Sequence, residues 1–288
     1  MKSYLRHLFF KLGRILPDKE YLKIIYFYHF HRFPNLKNPT TYNEKIQWLK
    51  LYDRRPEYSI MVDKYLVKDY VTKLIGKEYV IPTLGVWNSV GEIEWDTMPN
   101  QFVLKWNHDS GSIVICKDKK EFNKNAAIKI LKKNEYSSGY WYGREWPYKN
   151  VKPKIIAEKY MEDEDGELKD FKFFCFNGEV KAMFIATDRF DRKEETKFDF
   201  FDAEFNHLPF TNGHPNALKQ IKKPVCFELM KYLAGILSKG LPHLRVDFYE
   251  VKGKVFFGEL TLYHWSGFVP FSPAKYDKVF GDWIKLPI

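Results

Sequence analysis

The sequence predicts an α+β chain folded as two lobes. Three observations lead there. Apolar residues recur at helical spacing through most of residues 1–74. Beyond residue 154, alternation of period two takes over, and Asn177-Gly178 joins two such runs, the strongest hairpin signal in the chain. The chain has 288 residues, 45% of them apolar, enough for two lobes with a sizeable core. A net charge of +10 suggests an anionic partner: a nucleotide, an acidic glycan or a membrane surface. Nucleic acid is the weakest of the anionic partners, because no binding motif and no long basic run is present. Cys116, Cys175 and Cys226 are far apart in apolar runs. They read as reduced core residues, not as a disulfide set or a zinc site.

Residues 1–16 place Leu5, Leu8, Phe9, Leu12, Ile15 and Leu16 at helical spacing, with Lys2, Arg6, Lys11 and Arg14 elsewhere. Such a helix either packs on its own protein or lies on an anionic membrane surface. Lys11 and Arg14 interrupt the apolar run, so it is not a good signal peptide, and no stretch is long and apolar enough to cross a membrane. Pro17 ends it. A second helix is expected over 19–32; its His29 and His31 are two apart, do not share a face, and are given no metal role. After a linker from Pro34 to Pro39, a helix begins near Thr41 and carries Ile46, Trp48, Leu49 and Tyr52. Another runs from Ser59 to Leu74, with Asp63-Lys64 near its start and Gly76 at its end.

Residues 79–85 read as a short strand or turn. Residues 101–106 form a strand with Lys105 inward, followed by the loop 107–112 and a strand over 113–116. A loop of small residues between strands can fold backbone N–H groups over phosphates, which makes Ser110 and Gly111 candidates for cofactor binding. His108 reads as a turn residue. A helix is expected over 121–133. Residues 134–150 form an aromatic-rich loop whose length points to function. Within it Arg144 is either an anion contact or a surface ion pair with Glu145.

Residues 154–161 form a strand leading into the acidic run 162–165, a solvated turn without EF-hand spacing. Strands 170–176 and 179–185 pair through Asn177-Gly178. Their core face is expected to hold Phe171, Phe173, Val180, Ala182 and Phe184, leaving Lys172 with Phe174, Met183 and Ile185 on the other. A lysine among large apolar side chains fits a site where a flat ring meets a phosphate, or a lysine snorkelling from an apolar surface. Short strands near 196–202 and 204–210 extend the sheet, and 211–223 is a loop. Pro224 starts a helix with Met230, Leu233 and Leu237 on one face, stopping at Gly240.

The last hairpin, 245–249 with 257–261, presents two carboxylates. A two-residue turn at Lys252-Gly253 would put Asp247 and Glu259 on opposite faces. A three-residue loop, Val251-Lys252-Gly253, pairs Asp247 with Phe257 and makes Glu259 a diagonal neighbour on the same face; this register is expected. Two unpaired carboxylates side by side repel, so the face needs a cation, and Mg2+ bridging phosphates is the usual one.

The order of these elements resembles the ATP-grasp fold, two α+β lobes clamping ATP. The chain is more specifically similar to the TupA-like ATP-grasp proteins of bacterial surface-polysaccharide gene clusters, through Tyr42-Asn43-Glu44-Lys45-Ile46-Gln47-Trp48-Leu49-Lys50, Val62-Asp63-Lys64-Tyr65, Phe102-Val103-Leu104-Lys105, Arg144-Glu145-Trp146, Ile156-Ala157-Glu158, Asp170-Phe171-Lys172, and Leu244-Arg245-Val246-Asp247-Phe248 with Gly258-Glu259-Leu260-Thr261. The resemblance implies a helical N-terminal region (1–60), a small lobe (61–157) and a large lobe with the metal site (158–288). It implies that Lys64 and Lys105 hold the α- and β-phosphates, that the backbone of Glu158, Lys159, Tyr160 and Met161 reads adenine, and that Asp170 and Lys172 line the nucleotide cleft. Asp247 and Glu259 resemble Mg2+ ligands. Thr261 stands where many ATP-grasp enzymes have Asn, and offers only a hydroxyl. Arg245 sits where it could contact the transferred phosphoryl group or an acyl phosphate; it and Lys172 are the catalytic candidates. The implied activity is an ATP- and Mg2+-dependent carboxylate–amine ligase in surface-polysaccharide biosynthesis, joining a uronic-acid glycan, free or lipid-linked, to an amine or amino acid. The expected location is cytoplasmic, at the inner face of the membrane. Alternatives are a sugar kinase, with Asp170 or His264 as base, and a glycosyltransferase. For the last, Asp163-Glu164-Asp165 is the clearest acidic triplet, whereas Asp188 and Asp191 are one residue too far apart.

Overall fold

The computed structural model describes residues 13–135, 139–163, 168–188, 195–218 and 220–287. The helix expected over 1–16 lies almost wholly outside the described residues, as do Glu164, Asp165 and Asp191.

Helix α1 (Asp18–Phe30) follows Pro17 and buries Tyr21, Leu22, Ile25 and Tyr26. Helix α2 (Tyr42–Tyr52) opens with a capping box: the Glu44 amide donates to Thr41 Oγ1 at 3.3 Å, and the Thr41 amide donates to Glu44 Oε2 at 3.3 Å. Glu44 also accepts from Arg32 at 2.6 Å, so the cap fixes the turn between α1 and α2. Thr41→Ala is expected to cost about 1 kcal/mol in urea unfolding, since one orphan helix donor loses its acceptor.

The helix expected over 59–74 is two helices, α3 (Glu57–Val62) and α4 (Leu66–Ile75). Asp63 causes the break. Its backbone is extended (ψ 109°), and its Oδ1 accepts from the amides of Tyr65 and Leu66 at 2.8 and 3.2 Å, starting the second helix afresh. Lys64 therefore sits at a helix junction and not on a helix face.

Strands β1 (Thr83–Trp87), β2 (Phe102–Trp106) and β3 (Val114–Cys116) come next, then helix α5 (Lys124–Asn134), capped by the Asn123 side chain. The aromatic-rich stretch expected as a loop contains a short helix, α6 (Gly139–Gly143), and a 3-10 turn, Trp146–Asn150. Strand β4 (Ile155–Lys159) completes an antiparallel sheet of order β1-β4-β2-β3. It has its own core of Trp87, Phe102, Leu104, Trp106, Leu131 and Ile155. All of β4 pairs within this sheet, so the strand spans positions 157 and 158, where the lobe boundary was expected.

The larger sheet contains β5 (Asp170–Phe176), β6 (Glu179–Thr187), β7 (Lys197–Asp202) and β8 (His207–Leu208); β9 (Thr211–Asn212) leaves it. Helix α7 (Phe227–Leu237) starts three residues after Pro224 and buries Met230, Leu233 and Leu237 against β5, β6 and β10 (Leu244–Val251). Strand β11 (Lys254–Thr261) follows, then β12 (Phe271–Ser272), paired with β9, and helix α8 (Lys275–Trp283). The sheet order is β11-β10-β5-β6-β7-β8.

Two bulges set the faces of this sheet. The turn at Asn177-Gly178 forms as expected, with φ of 50° and 87°. Its register then slips once: Cys175 pairs with Val180 but Phe174 with Ala182. Phe173 thus shares a face with Met183 and Phe171 with Ile185, while Lys172 lies beside Phe184. This corrects the expected grouping, because one inserted residue reverses the parity of everything beyond it.

The core runs continuously from α2, α3 and α4 into the larger sheet: Tyr42, Ile46, Met61 and Val71 belong to the same buried cluster as Phe173, Phe174 and Phe248. Residues 61–75, expected in the small lobe, therefore pack into the large one. Helices α2 and α8 approach closely; a Cβ on Gly281 would lie 2.3 Å from Thr40 O. Among the described residues no helix is long and apolar enough to cross a membrane.

Candidate active site

The β10–β11 turn is Lys252-Gly253, both with positive φ (50° and 70°), so it is the two-residue turn that the sequence reading set aside. Tyr249 pairs with Phe256 and Phe248 with Phe257; then Gly258 bulges out and Asp247 pairs directly with Glu259. The extra residue restores the parity that the short turn would have broken. Glycine suits the bulge, since a Cβ there would lie 3.2 Å from Asp247 O and 3.1 Å from the Tyr249 ring. On the other side Asp247 pairs with Lys172 of β5. One row across three strands therefore reads Glu259, Asp247, Lys172. The flanking rows on this face place Thr261 beside Arg245, and Tyr249 beside Asp170.

The two carboxylates do not stand unpaired, contrary to expectation. Asp247, fully buried, accepts from Arg245 Nε and Nη2, each at 2.7 Å, and also holds Lys172. Lys172 reaches Asp170 at 2.7 Å as well. Burial alone would raise the Asp247 carboxyl, but Arg245 and Lys172 outweigh it and hold it below the usual range. Burial likewise works against the Arg245 charge, and Asp247 more than restores it. Glu259 is held more loosely. Its side chain is 33% exposed, 3.3 Å from Lys64 and 3.9 Å from Arg245. Its carboxyl is raised by burial and lowered further by Lys64, for a net fall.

Arg245 is fixed from a third side. Its Nη1 donates to His264 Nδ1 at 2.7 Å, and His264 Nε2 donates to Asn212 Oδ1 at 3.0 Å. A guanidinium can only donate, so His264 Nδ1 must be the acceptor and the ring is neutral. His264 opens a tight turn in which Trp265, Ser266 and Gly267 all have left-handed φ (50°, 55° and 64°). Lys50 of α2 holds this turn: buried, it donates to Ser266 O at 2.6 Å, Ser266 Oγ at 3.0 Å and Gln47 Oε1 at 3.0 Å. Burial pushes the Lys50 ammonium down to about 7 against the pull of Glu145, whose own carboxyl is raised by burial.

A second charge cluster joins the smaller sheet to helix α4. Glu158 is buried between two lysines, with Lys68 and Lys105 each 2.6 Å from one of its oxygens. Burial would raise its carboxyl, but Lys105 and Lys68 hold it below the ordinary value. Burial, aided by the nearby positive charge of Lys105, lowers Lys68 by more than Glu158 restores. Lys68, Lys105 and Glu158 line one small cavity with Lys64 and the bulged Gly258 of the other sheet. Lys64 joins the two groups: its amide donates to Asn107 O at 3.1 Å and its Nζ to Asp109 O at 2.7 Å. That anchors the loop bearing Ser110 and Gly111, which are both exposed, Gly111 at φ 116°. His108 is buried against Trp106 in this loop.

The remaining expected site residues divide. The Lys159 amide is engaged with Pro82 O at 3.1 Å, Tyr160 donates to Glu162 at 2.6 Å, and Met161 is half-buried just beyond β4. Arg144 is not a surface pair with Glu145: its Nε lies 3.4 Å from the Asp18 carboxylate. It is buried, donates to Gly13 O at 2.5 Å, and stacks on Tyr21, Tyr140 and Trp141. Lys68, Lys50, Glu145 and Asn212 went unrecognised. Only Lys68 had a usable signal, its i+4 spacing from Lys64. Asp163, of the acidic triplet, accepts from the Lys252 amide at 3.1 Å.

The donors suit magnesium. Asp247, Glu259 and Thr261 share one face and offer only hard oxygen atoms. Mg2+ is usually held by one or two carboxylates together with substrate phosphates and water. Among the described residues no cluster of three or more His, Cys, Asp or Glu could hold a metal by itself.

Two α+β lobes whose charged side chains line one shared cavity define an ATP-grasp protein. The chain belongs to the TupA-like ATP-grasp family, whose model matches residues 44–285. None of the curated proteins matches the sequence. Among solved structures it is similar to the D-alanine–D-alanine ligase of Bacillus anthracis in complex with ATP (15% identity, TM-score 0.43, 70% of this chain and 55% of that one). It is also similar to the D-alanine–D-alanine ligase of Helicobacter pylori (15% identity, TM-score 0.46, 85% and 69%). A third is the ATP-grasp ligase PsnB in complex with a minimal precursor, Mg and ADP (11% identity, TM-score 0.45, 84% and 66%). The chain thus spans little more than half the length of the first of these.

Proposed function

We propose that this protein is an ATP-dependent carboxylate–amine ligase. The observation that carries the reading is the small cavity at which Lys105 and Glu158 of the smaller sheet meet Lys64, Lys68 and Gly258, with Lys64 only 3.3 Å from Glu259 of the carboxylate row. Lys64 and Lys105 would bind the α- and β-phosphates, Ser110 and Gly111 the phosphate loop side, and the backbone of residues 158–161 the adenine. Asp170 and Lys172 would line the nucleotide cleft. Asp247, Glu259 and Thr261 would hold Mg2+, which when bound offsets phosphate charge during transfer. Phosphates entering this face would draw Lys64 and Lys105 toward themselves, since those two lysines now neutralise Glu259 and Glu158.

In the first step a substrate carboxylate oxygen bonds to the γ-phosphorus and the bond to the β–γ bridging oxygen breaks, releasing ADP. In the second an amine nitrogen attacks the acyl carbon, phosphate leaves, and the amine proton goes to water. Positioning does most of this work. Arg245 is suited to it: three of its five N–H groups are committed to Asp247 and His264, which fixes the plane of the guanidinium. Neither base suggested for a kinase is free. His264 Nδ1 is occupied by Arg245, burial keeps the ring neutral, and Asp170 is tied to Lys172.

The acceptor is proposed to be an acidic, lipid-linked glycan, and the second substrate an amine or amino acid, in surface-polysaccharide biosynthesis on the cytoplasmic side of the membrane. The net charge of +10 supports an acidic substrate. The test is phosphate release from Mg-ATP, screened over pairs of acidic glycans and amines. Release that requires both members of a pair supports the ligase. Labelled phosphate left on a sugar hydroxyl would establish the kinase instead, and calorimetry showing no uptake of Mg-ATP would sink both.

A further inference from the structure

Helix α1 is amphipathic in an unusual sense: both of its flanks are apolar. One flank, Tyr21, Leu22, Ile25 and Tyr26, is buried against the protein. The opposite flank carries Ile24, Phe27 and Tyr28, all substantially exposed, at the i, i+3, i+4 spacing that makes one continuous surface. Phe33, just beyond the helix, extends it, its ring stacked on Phe27 at 4.9 Å. Tyr28 is 74% exposed and Phe33 63%. Exposed apolar side chains scattered singly need no explanation, but four contiguous ones, three of them aromatic, do. They protrude from a convex helix flank, so they are not the walls of a groove for a peptide.

Charge selects the occupant. Residues 1–39 contain eight Lys or Arg and two Asp or Glu, a net +6 out of +10 for the whole chain. Lys19 and Lys37, before and after this segment in the chain, are exposed, while Arg32 is paired with Glu44. Two copies of this region would repel each other, which argues against self-association through it. An anionic lipid surface satisfies both features at once: aromatic rings settle at the headgroup level and each nearby cation adds attraction.

We infer that the exposed flank of α1, centred on Phe27, Tyr28 and Phe33, docks this protein on an anionic membrane surface. The inference does not rest on the ligase reading, because α1 contributes nothing to the charge clusters of the cleft. It differs from contact through residues 1–12, and the test separates the two.

The full-length protein is sedimented with vesicles of phosphatidylcholine alone and of phosphatidylcholine mixed with phosphatidylglycerol. Binding to the mixed vesicles is expected to be stronger by at least about tenfold, and to weaken with added salt. The double substitution Tyr28→Glu with Phe33→Glu should lower binding to the mixed vesicles by about tenfold or more. Both side chains are solvent-exposed, so melting temperature and circular dichroism should stay as in the parent. Equal binding to both vesicle types overturns the inference. So does a folded double variant that binds like the parent, which would move the contact to residues 1–12. A parent that light scattering shows to be a dimer, made monomeric by the double variant, overturns it in favour of a second copy.

Discussion

Asp247→Ala should destabilise the protein by about 3–5 kcal/mol, whereas Glu259→Gln should leave it folded and remove its ATP turnover. The two residues are direct cross-strand partners, yet their surroundings differ. Among the described residues Asp247 is the only carboxylate that touches both Arg245 and Lys172. Removing it leaves a buried guanidinium and a buried ammonium with reduced compensation, and breaking such a pair costs more than the pair contributes. Against a total stability of about 5–15 kcal/mol, this is a large fraction. The double variant Asp247→Ala with Arg245→Met should be less destabilised than the single one, because it removes the orphaned charge as well. Glu259 is one-third exposed and contacts its cations at 3.3 and 3.9 Å, so its neutral isostere loses little in folding. Turnover should nevertheless fall by roughly a hundredfold or more, since a preorganised charge at the reacting centre is gone. Urea unfolding and phosphate release measure the two effects. A cost below about 1 kcal/mol for Asp247→Ala would show that the ion-pair row is not a structural unit.

Much of this row was legible in the sequence, for a physical reason. Alternation puts Arg245 and Asp247 on one face of a strand whatever the rest of the fold does, and Asn177-Gly178 fixes the neighbouring hairpin. What could not be read was the pair of bulges. A bulge is decided by what packs on each face, and both faces of β5 are buried, so the exposure pattern does not set the parity even though Asp170 and Lys172 mark one face. The right conclusion about Asp247 and Glu259 was reached through the wrong turn; Gly258 was the available clue. The charge partners were missed for a related reason. Lys172 and Arg245 were read as ligands for phosphate, and nothing in a linear sequence says that two cations far apart in the chain, on strands that become neighbours in the sheet, will meet one carboxylate. Arg144 failed in the same way. Its partners are the Gly13 carbonyl, the Asp18 carboxylate and three rings, two of them in α6, and a helix of five residues with a glycine at each end gives almost no periodic signal. Lobe division erred because residues 61–75 follow the N-terminal helices in packing, although Lys64 among them faces the cleft.

Stability should fall steeply as the solution is acidified from about pH 6.5, before most carboxylates titrate. His243 and His264 are both buried and neutral. His243 Nδ1 donates to Leu262 O at 3.0 Å, and its Nε2 takes the Tyr42 hydroxyl at 3.1 Å. Burial, aided by Arg245 and opposed by the Leu262 bond, lowers its pKa to about 4. Burial and the same arginine hold His264 well below its ordinary value. An unfolded histidine titrates near 6.5, so between that value and the folded one the unfolded chain binds the extra proton. Stability is complete above the unfolded pKa and drains away as pH falls toward the folded one. For His243 alone the loss by pH 5 is about 2 kcal/mol, and His264 adds a second loss of the same sign. Glu145, Asp199 and Asp277, raised by burial, act in the opposite direction, so the total is a poor measure of either histidine. The difference between the parent and His243→Gln isolates one. The variant should be less stable near pH 7, having lost a fitted buried ring, but its stability should decline more gently on acidification. Urea midpoints followed across this range decide the matter. Parallel pH profiles for the two proteins would mean that His243 does not carry the acid sensitivity.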